Sequence, residues 1–263
     1  METVYNAREI RTVITPADRR VLSKIIGLFG KLVEIEPIGQ YRKMTADKTW
    51  ITLVSQVCVK GSARHIERIN SNPSLRAEFE AAVSLTVLSR ERNTVSYLAN
   101  TLRSFSATRF PTRGAESLAT VLKSPTVFER GRLVLFEGLS DKASAAQTRI
   151  ELIKRCPIFR FKSASDFMIS VGLSHDVIAL DTRVVGVLQK HLGYNLTPAR
   201  IQSRQALYLS LEAALRDFCH EQDRSLALLD RILFRFSSIG AIELIVKYPE
   251  LTRRLRMALE DYG

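Results

Sequence analysis

Cysteine is scarce in this sequence: Cys58, Cys156 and Cys219 are the only three in 263 residues, and no two lie close together. An odd, scattered set excludes a disulfide framework and a four-cysteine iron–sulfur cluster built from this chain alone, and it suits a reducing compartment. All three read as buried apolar fillers. Histidine is nearly as rare. His65, His175, His191 and His220 form no HxH or HExxH spacing, so neither a structural nor a catalytic zinc site is expected. No apolar run approaches the roughly 20 residues needed to cross a bilayer. The N-terminal METVYNAREIRTVITPADRR mixes charges and lacks the apolar core of a signal peptide. These absences predict a soluble, intracellular protein with no membrane partner. Long Gly/Ser or Pro-rich linkers, internal repeats and low-complexity tracts are missing too.

Positive charge is plentiful. Lys and Arg outnumber Asp and Glu by 39 to 27, a formal net charge of +12. That surplus favours a polyanionic partner, because neutralising phosphates releases condensed counterions. Apolar residues make up 46% of the chain and recur at helical spacing almost throughout. Thr15-Pro16 and Asn72-Pro73 each place a cap and a first-turn proline ahead of such a run. Helices are expected around 16–29, 50–57, after Ser62, 73–85, 94–105, 115–122, 126–138, 142–155, 161–171, 182–192, 205–218, 225–236 and 242–262, the last broken by Pro249. The segment Val177-Ile178-Ala179-Leu180 is a strand candidate with no partner in view. The expected fold is all-α, with about ten helices in one domain over 1–263 that divides into two lobes facing a cleft.

The stretch from Ala145 to Gly193 carries the chemistry. A helix ends near Cys156-Pro157, and FKSASDFMISVG begins another. Phe161, Ala164, Met168 and Val171 form one apolar stripe on it, which leaves Lys162, Ser165, Asp166 and Ile169 pointing elsewhere. Lys162 thus opens a helix, where the positive end of the macrodipole disfavours a cation and favours the neutral amine that a nucleophile requires. Nineteen residues further along, Asp181 precedes Thr182-Arg183-Val184-Val185 and reads as an N-cap. A capping carboxylate has a fixed position. Fixed negative charge is what stabilises a sugar carbon that becomes cationic as an N-glycosidic bond breaks.

With its hairpin, the string Lys162-Ser163-Ala164-Ser165-Asp166-Phe167 through Gly172 and Ala179-Leu180-Asp181 after it, the chain resembles the helix-hairpin-helix DNA glycosylases. It is most similar to the short archaeal-type 8-oxoguanine DNA glycosylases, over a motif at about 142–172. The resemblance implies a base-excision repair enzyme that acts as a monomer on duplex DNA containing a damaged base. It implies Lys162 as the amine that forms a Schiff base and Asp181 as the carboxylate that assists it. It implies glycosylase and β-elimination activities with no metal or organic cofactor. Three other outcomes fit the same residues: a glycosylase for another damaged base, a helical DNA-binding protein without catalysis, and a helical interaction module with no nucleic-acid role.

The hairpin departs from the family pattern. Pro157-Ile158-Phe159-Arg160-Phe161 contains no glycine, where close approach of backbone N–H groups to a phosphate would favour one. Arg160, Phe159 and Ser163 are the expected DNA contacts there, Arg160 supplying charge in place of bare backbone, with anchoring of the hairpin to the core the alternative for Phe159. Trp50 through Gln56 is similar to the early helix these enzymes place along DNA, with Gln56 read as a wedge for the space left by an extruded base or as a polar residue on a helix surface. Trp50 and Phe167 read as core or as stacking surfaces, the core being favoured. Arg253–Arg256 reads as a solvated helix face, with DNA contact the minor alternative.

Overall fold

Thr15 and Pro16 open the first helix as their order predicts. In the computed structural model, which describes residues 12–140, 142–238 and 240–247, helix α1 spans Pro16–Phe29. The Thr15 hydroxyl accepts from the Asp18 N–H, and the Asp18 carboxylate accepts from the Thr15 N–H at 2.8 Å. This capping box satisfies two of the donors that every helix start leaves unpaired.

The chain then runs through α2 (Ala46–Cys58), α3 (Arg64–Asn70), α4 (Pro73–Ala82), α5 (Leu85–Leu88), α6 (Thr94–Ser104) and α7 (Pro111–Leu122). After a small hairpin come α8 (Ala145–Arg155) and α9 (Phe161–Ser170). It ends with α10 (Thr182–Leu192), α11 (Pro198–Ser203), α12 (Gln205–Glu221), α13 (Leu226–Ser238) and α14 (Ala241–Lys247). The described residues are therefore all-α apart from two antiparallel strands, β1 (Phe128–Glu129) and β2 (Arg132–Leu133). Residues 248–262 of the expected last helix, with the Arg253–Arg256 cluster, fall outside the described residues.

Two expectations fail locally. Residues 126–138 do not form a helix. Arg130 and Gly131 both take positive φ (49° and 78°) and close a tight hairpin between β1 and β2, as two-residue connections require. Val127, Phe128 and Leu135 are all buried, so the same apolar residues that suggested a helix serve a turn instead. Residues 177–180 form no strand either; side chains replace the missing ladder. The helices not expected, α5 and α11, are too short to show a period, although Thr197 caps α11 ahead of Pro198.

The fold divides into two compact units, one from Met1–Ile35 with Ser174–Gly263, the other from Glu36–Leu173. In the second unit α6 and α7 pack closely, and α2 lies against α7 and α9. Its core holds Trp50, Leu53, Val54 and Val57 of α2, each at most 2% exposed. Burial of each such side chain contributes about 1.5–3 kcal/mol. The Trp50 indole N–H donates to the Val83 carbonyl at 2.7 Å, so its one polar atom is satisfied. In the first unit α10 and α13 pair, with α1 and α12 also against α13.

Candidate functional site

Helix α9 and the turn before it assemble most of the expected site residues in one unit. Helix α8 starts at a capping box between Ser144 and Gln147 and ends at Cys156. Pro157 then sits in a turn closed by the Phe159 N–H donating to the Cys156 carbonyl at 3.0 Å. None of Cys156 to Arg160 takes a positive φ. The glycine-free hairpin therefore needs no glycine: proline presets the turn and the backbone stays in ordinary regions.

Arg160 is exposed at the N-cap of α9. Its backbone N–H donates to the Ser163 hydroxyl at 2.8 Å, and that hydroxyl donates back to the Arg160 carbonyl at 3.2 Å. Ser163 thus closes the helix start. Phe159 is fully buried, its ring centroid 4.9 Å from that of Phe167. It anchors the hairpin to the core and presents no surface to a partner, which corrects its expected role. Beside the hairpin, the Lys60 ammonium is held below the ordinary lysine range by desolvation first, then by the like charges of Arg113 and Arg160. A neighbourhood of cations with that repulsion is suited to an anion.

Lys162 stands in the first turn of α9, half-buried. Among the described residues of its unit, no hydrogen bond or ion pair holds its amine. The rest of the string has structural duties. Ala164 is buried, and so is Ser165, which the apolar stripe had placed away from the core. The Ser165 hydroxyl accepts from Nη1 of the fully buried Arg149 at 3.0 Å and donates to the Phe161 carbonyl at 2.8 Å. Arg149 also lies over the Phe161 ring at 4.9 Å. A buried guanidinium demands such partners, so Ser165 and Arg149 staple α8 to α9. Ile169 is buried too; the buried face is wider than the stripe. Gly172 ends the string at φ 64°, where an added Cβ would lie 2.0 Å from the Pro37 carbonyl oxygen. Only glycine fits that close approach.

Gln56 is 4% exposed, and its amide donates to the Asp166 carboxylate at 2.8 Å. This bond ties α2 to α9 and removes Gln56 from the side chains that could enter a DNA stack. Trp50 and Phe167 are likewise fully buried. Phe136 is half-buried; its ring stacks on Phe167 at 6.0 Å and meets Tyr41 at 5.1 Å.

Asp181 belongs to the other unit. It caps α10, and its Oδ1 accepts from the N–H groups of Arg183 at 2.9 Å and Val184 at 2.8 Å. The residue is 8% exposed. The extended segment before it is held by side chains. Ile178 N–H donates to Glu212, Ala179 N–H to Asp230 at 2.7 Å, and Leu180 N–H to the Tyr208 hydroxyl. Sequence reading missed these three. The signal for Tyr208 and Glu212 was the spacing of four that places them with Arg216 and His220 along one side of a helix; Asp230 had none.

Among the described residues, no three His, Cys, Asp or Glu side chains gather where they could hold a metal ion. No described helix is long and apolar enough to cross a membrane. No family model matches the chain, and no curated protein matches it in sequence. Among solved structures, the chain is similar to the 8-oxoguanine DNA glycosylase of Thermotoga maritima. The likeness has a TM-score of 0.52 and 18% identity and covers 83% of this chain and 89% of that one. The chain thus shares the helical fold of that glycosylase, as the resemblance in the Lys162 segment implied.

Proposed function

We propose that this chain is a DNA base-excision glycosylase with an associated β-lyase activity, acting on an oxidised purine, 8-oxoguanine, in duplex DNA. The observation that carries the reading is Lys162: a half-buried amine in the first turn of a helix that follows a tight hairpin, with no acceptor among the described residues of its own unit holding it. Two further features support it. Asp181 is a fixed N-cap carboxylate nineteen residues further along the chain, and the fold is shared with a solved 8-oxoguanine DNA glycosylase.

In this mechanism the damaged nucleotide leaves the base stack, because its glycosidic carbon is unreachable in the duplex. The neutral Lys162 amine donates its lone pair to C1′ as the bond to the base breaks, and the base departs with that bond's electron pair and takes up a proton. Asp181 accepts the proton shed by the amine and offsets the positive charge that develops on the sugar. Opening of the sugar ring leaves a Schiff base between Nζ and C1′. Loss of a proton from C2′ then expels the 3′ phosphate, which nicks the strand. Arg160, with Lys60 and Arg113 near it, supplies cations for the DNA backbone.

Borohydride trapping tests the reading, using a labelled duplex with one 8-oxoguanine and, in parallel, one with an abasic site. A covalent adduct is expected with the wild type and none with Lys162→Gln, while both bind duplex. Adduct from the abasic duplex alone would retain the lyase and reassign the lesion. Equal nicking by Lys162→Gln would overturn the nucleophile.

A further inference from the structure

Residues 177–181 of the first unit lie in no described helix or strand, yet several backbone groups of 175–181 are paired. Helix α12 supplies four side chains at successive helical turns. Tyr208 hydroxyl donates to the Ile178 carbonyl and accepts from the Leu180 N–H. Glu212 accepts from the Ile178 N–H, Arg216 Nε donates to the Asp176 carbonyl at 3.0 Å, and His220 meets the Asp176 carboxylate at 3.1 Å. From α13, Asp230 accepts the Ala179 N–H, and the Ala227 N–H reaches the His175 carbonyl at 2.9 Å. Glu212 and Asp230 are each 1% exposed, and their charges are met by Arg216 at 3.1 Å and Arg231 at 3.2 Å.

Two acidic side chains buried to that degree are costly unless fully paired. Asp181 closes this run, and its N–H turns back to the Ala179 carbonyl at 2.6 Å. The three clamped N–H groups therefore end one residue before the capping carboxylate.

We propose that Tyr208, Glu212 and Asp230 are positioning residues for the reaction: acting as a side-chain ladder on 178–180, they fix where Asp181 presents its carboxylate. This rests on the role given to Asp181 under the proposed function. The residues touch no reacting atom. Their effect passes through the backbone of 178–180 to the cap, where a displacement of an ångström costs about 100-fold in rate.

The test measures single-turnover adduct formation on the abasic duplex, duplex affinity, and amide exchange at Arg183 and Val184, the two N–H groups bonded to Asp181. Tyr208→Phe keeps the ring and loses the hydroxyl. It should slow adduct formation by about tenfold or more, leave duplex affinity unchanged and speed exchange at Arg183 and Val184. Asp230→Ala should act likewise. Asp230→Asn should restore most of the rate, since its amide oxygen can still accept the Ala179 N–H. Wild-type rates in Tyr208→Phe and Asp230→Ala would overturn the inference, as would a rate that only tracks the unfolded fraction. If the wild type forms no adduct, the proposed function fails, and amide exchange alone decides the clamp: unchanged exchange at Arg183 and Val184 overturns it.

Discussion

Lys162 and Asp181 are separable by what each substitution leaves intact. Lys162→Gln removes the amine proposed to form the Schiff base and should abolish strand cleavage, with duplex affinity within about twofold, since one cation among many is lost. Asp181→Asn keeps an oxygen for the Arg183 and Val184 N–H groups, so helix α10 remains capped. Its expected signature is therefore a rate loss of about 100-fold or more without loss of thermal stability; a normal rate would remove Asp181 from the chemistry. The thiols make a different prediction. Burial pushes Cys58, Cys156 and Cys219 each up to about 12, whereas in the unfolded chain they ionise near 8.5. Above that value the unfolded state loses protons that the folded state keeps. Stability should be fully present below about pH 8.5 and fall as pH rises toward 12. Replacing all three by Ala or Val should flatten this alkaline loss in a pH series of urea titrations.

The α8–α9 element shows why a motif can be partly structural. Lys162 is the member given a chemical role under the proposed function, whereas Ser165 serves Arg149 and Gly172 serves a close backbone approach at Pro37. Ser165→Ala takes an acceptor from a fully buried guanidinium and should cost about 1–3 kcal/mol. Phe159→Ala empties a fully buried site against Phe167 and should cost about 3–5 kcal/mol. Both should lower the urea midpoint while the purified, folded fraction still forms adduct. A Phe159→Ala protein with full stability and weakened DNA binding would return Phe159 to the DNA contacts from which its burial excludes it. Arg160→Ala is the converse case: an exposed cation, lost at little cost in stability and with weaker duplex binding.

For the molecule as a whole, a surplus of twelve positive charges makes salt the simplest probe. Duplex affinity should fall linearly in log–log form with added salt, the slope being about −0.9 per phosphate neutralised. A slope near zero would remove duplex DNA as a partner. Arg160→Ala should reduce the slope by about 1. A helix-rich fold shared at 18% identity with a solved glycosylase shows how loosely such a scaffold constrains its sequence, since any apolar residue of suitable volume can fill a helical core.

Periodicity, caps and prolines were enough to read α1, α4, α9 and α10 from the chain, because each is a local property: Thr15, Asn72 and Asp181 cap the residues three or fewer places beyond them. The places of Lys162 in a first helical turn and of Asp181 at an N-cap were legible for the same reason. Long-range pairing was not. The hairpin at Arg130-Gly131 depends on two positive φ angles that arginine does not announce, and the burial of Gln56 depends on Asp166, more than a hundred residues away. Residues 177–180 have the composition of a strand, yet their ladder is made by α12 and α13. Hydrogen-bond partners that lie far along the chain meet only when the helices have packed. Local sequence can therefore fix which segments are helical and where their caps fall, and packing alone fixes what holds them in place.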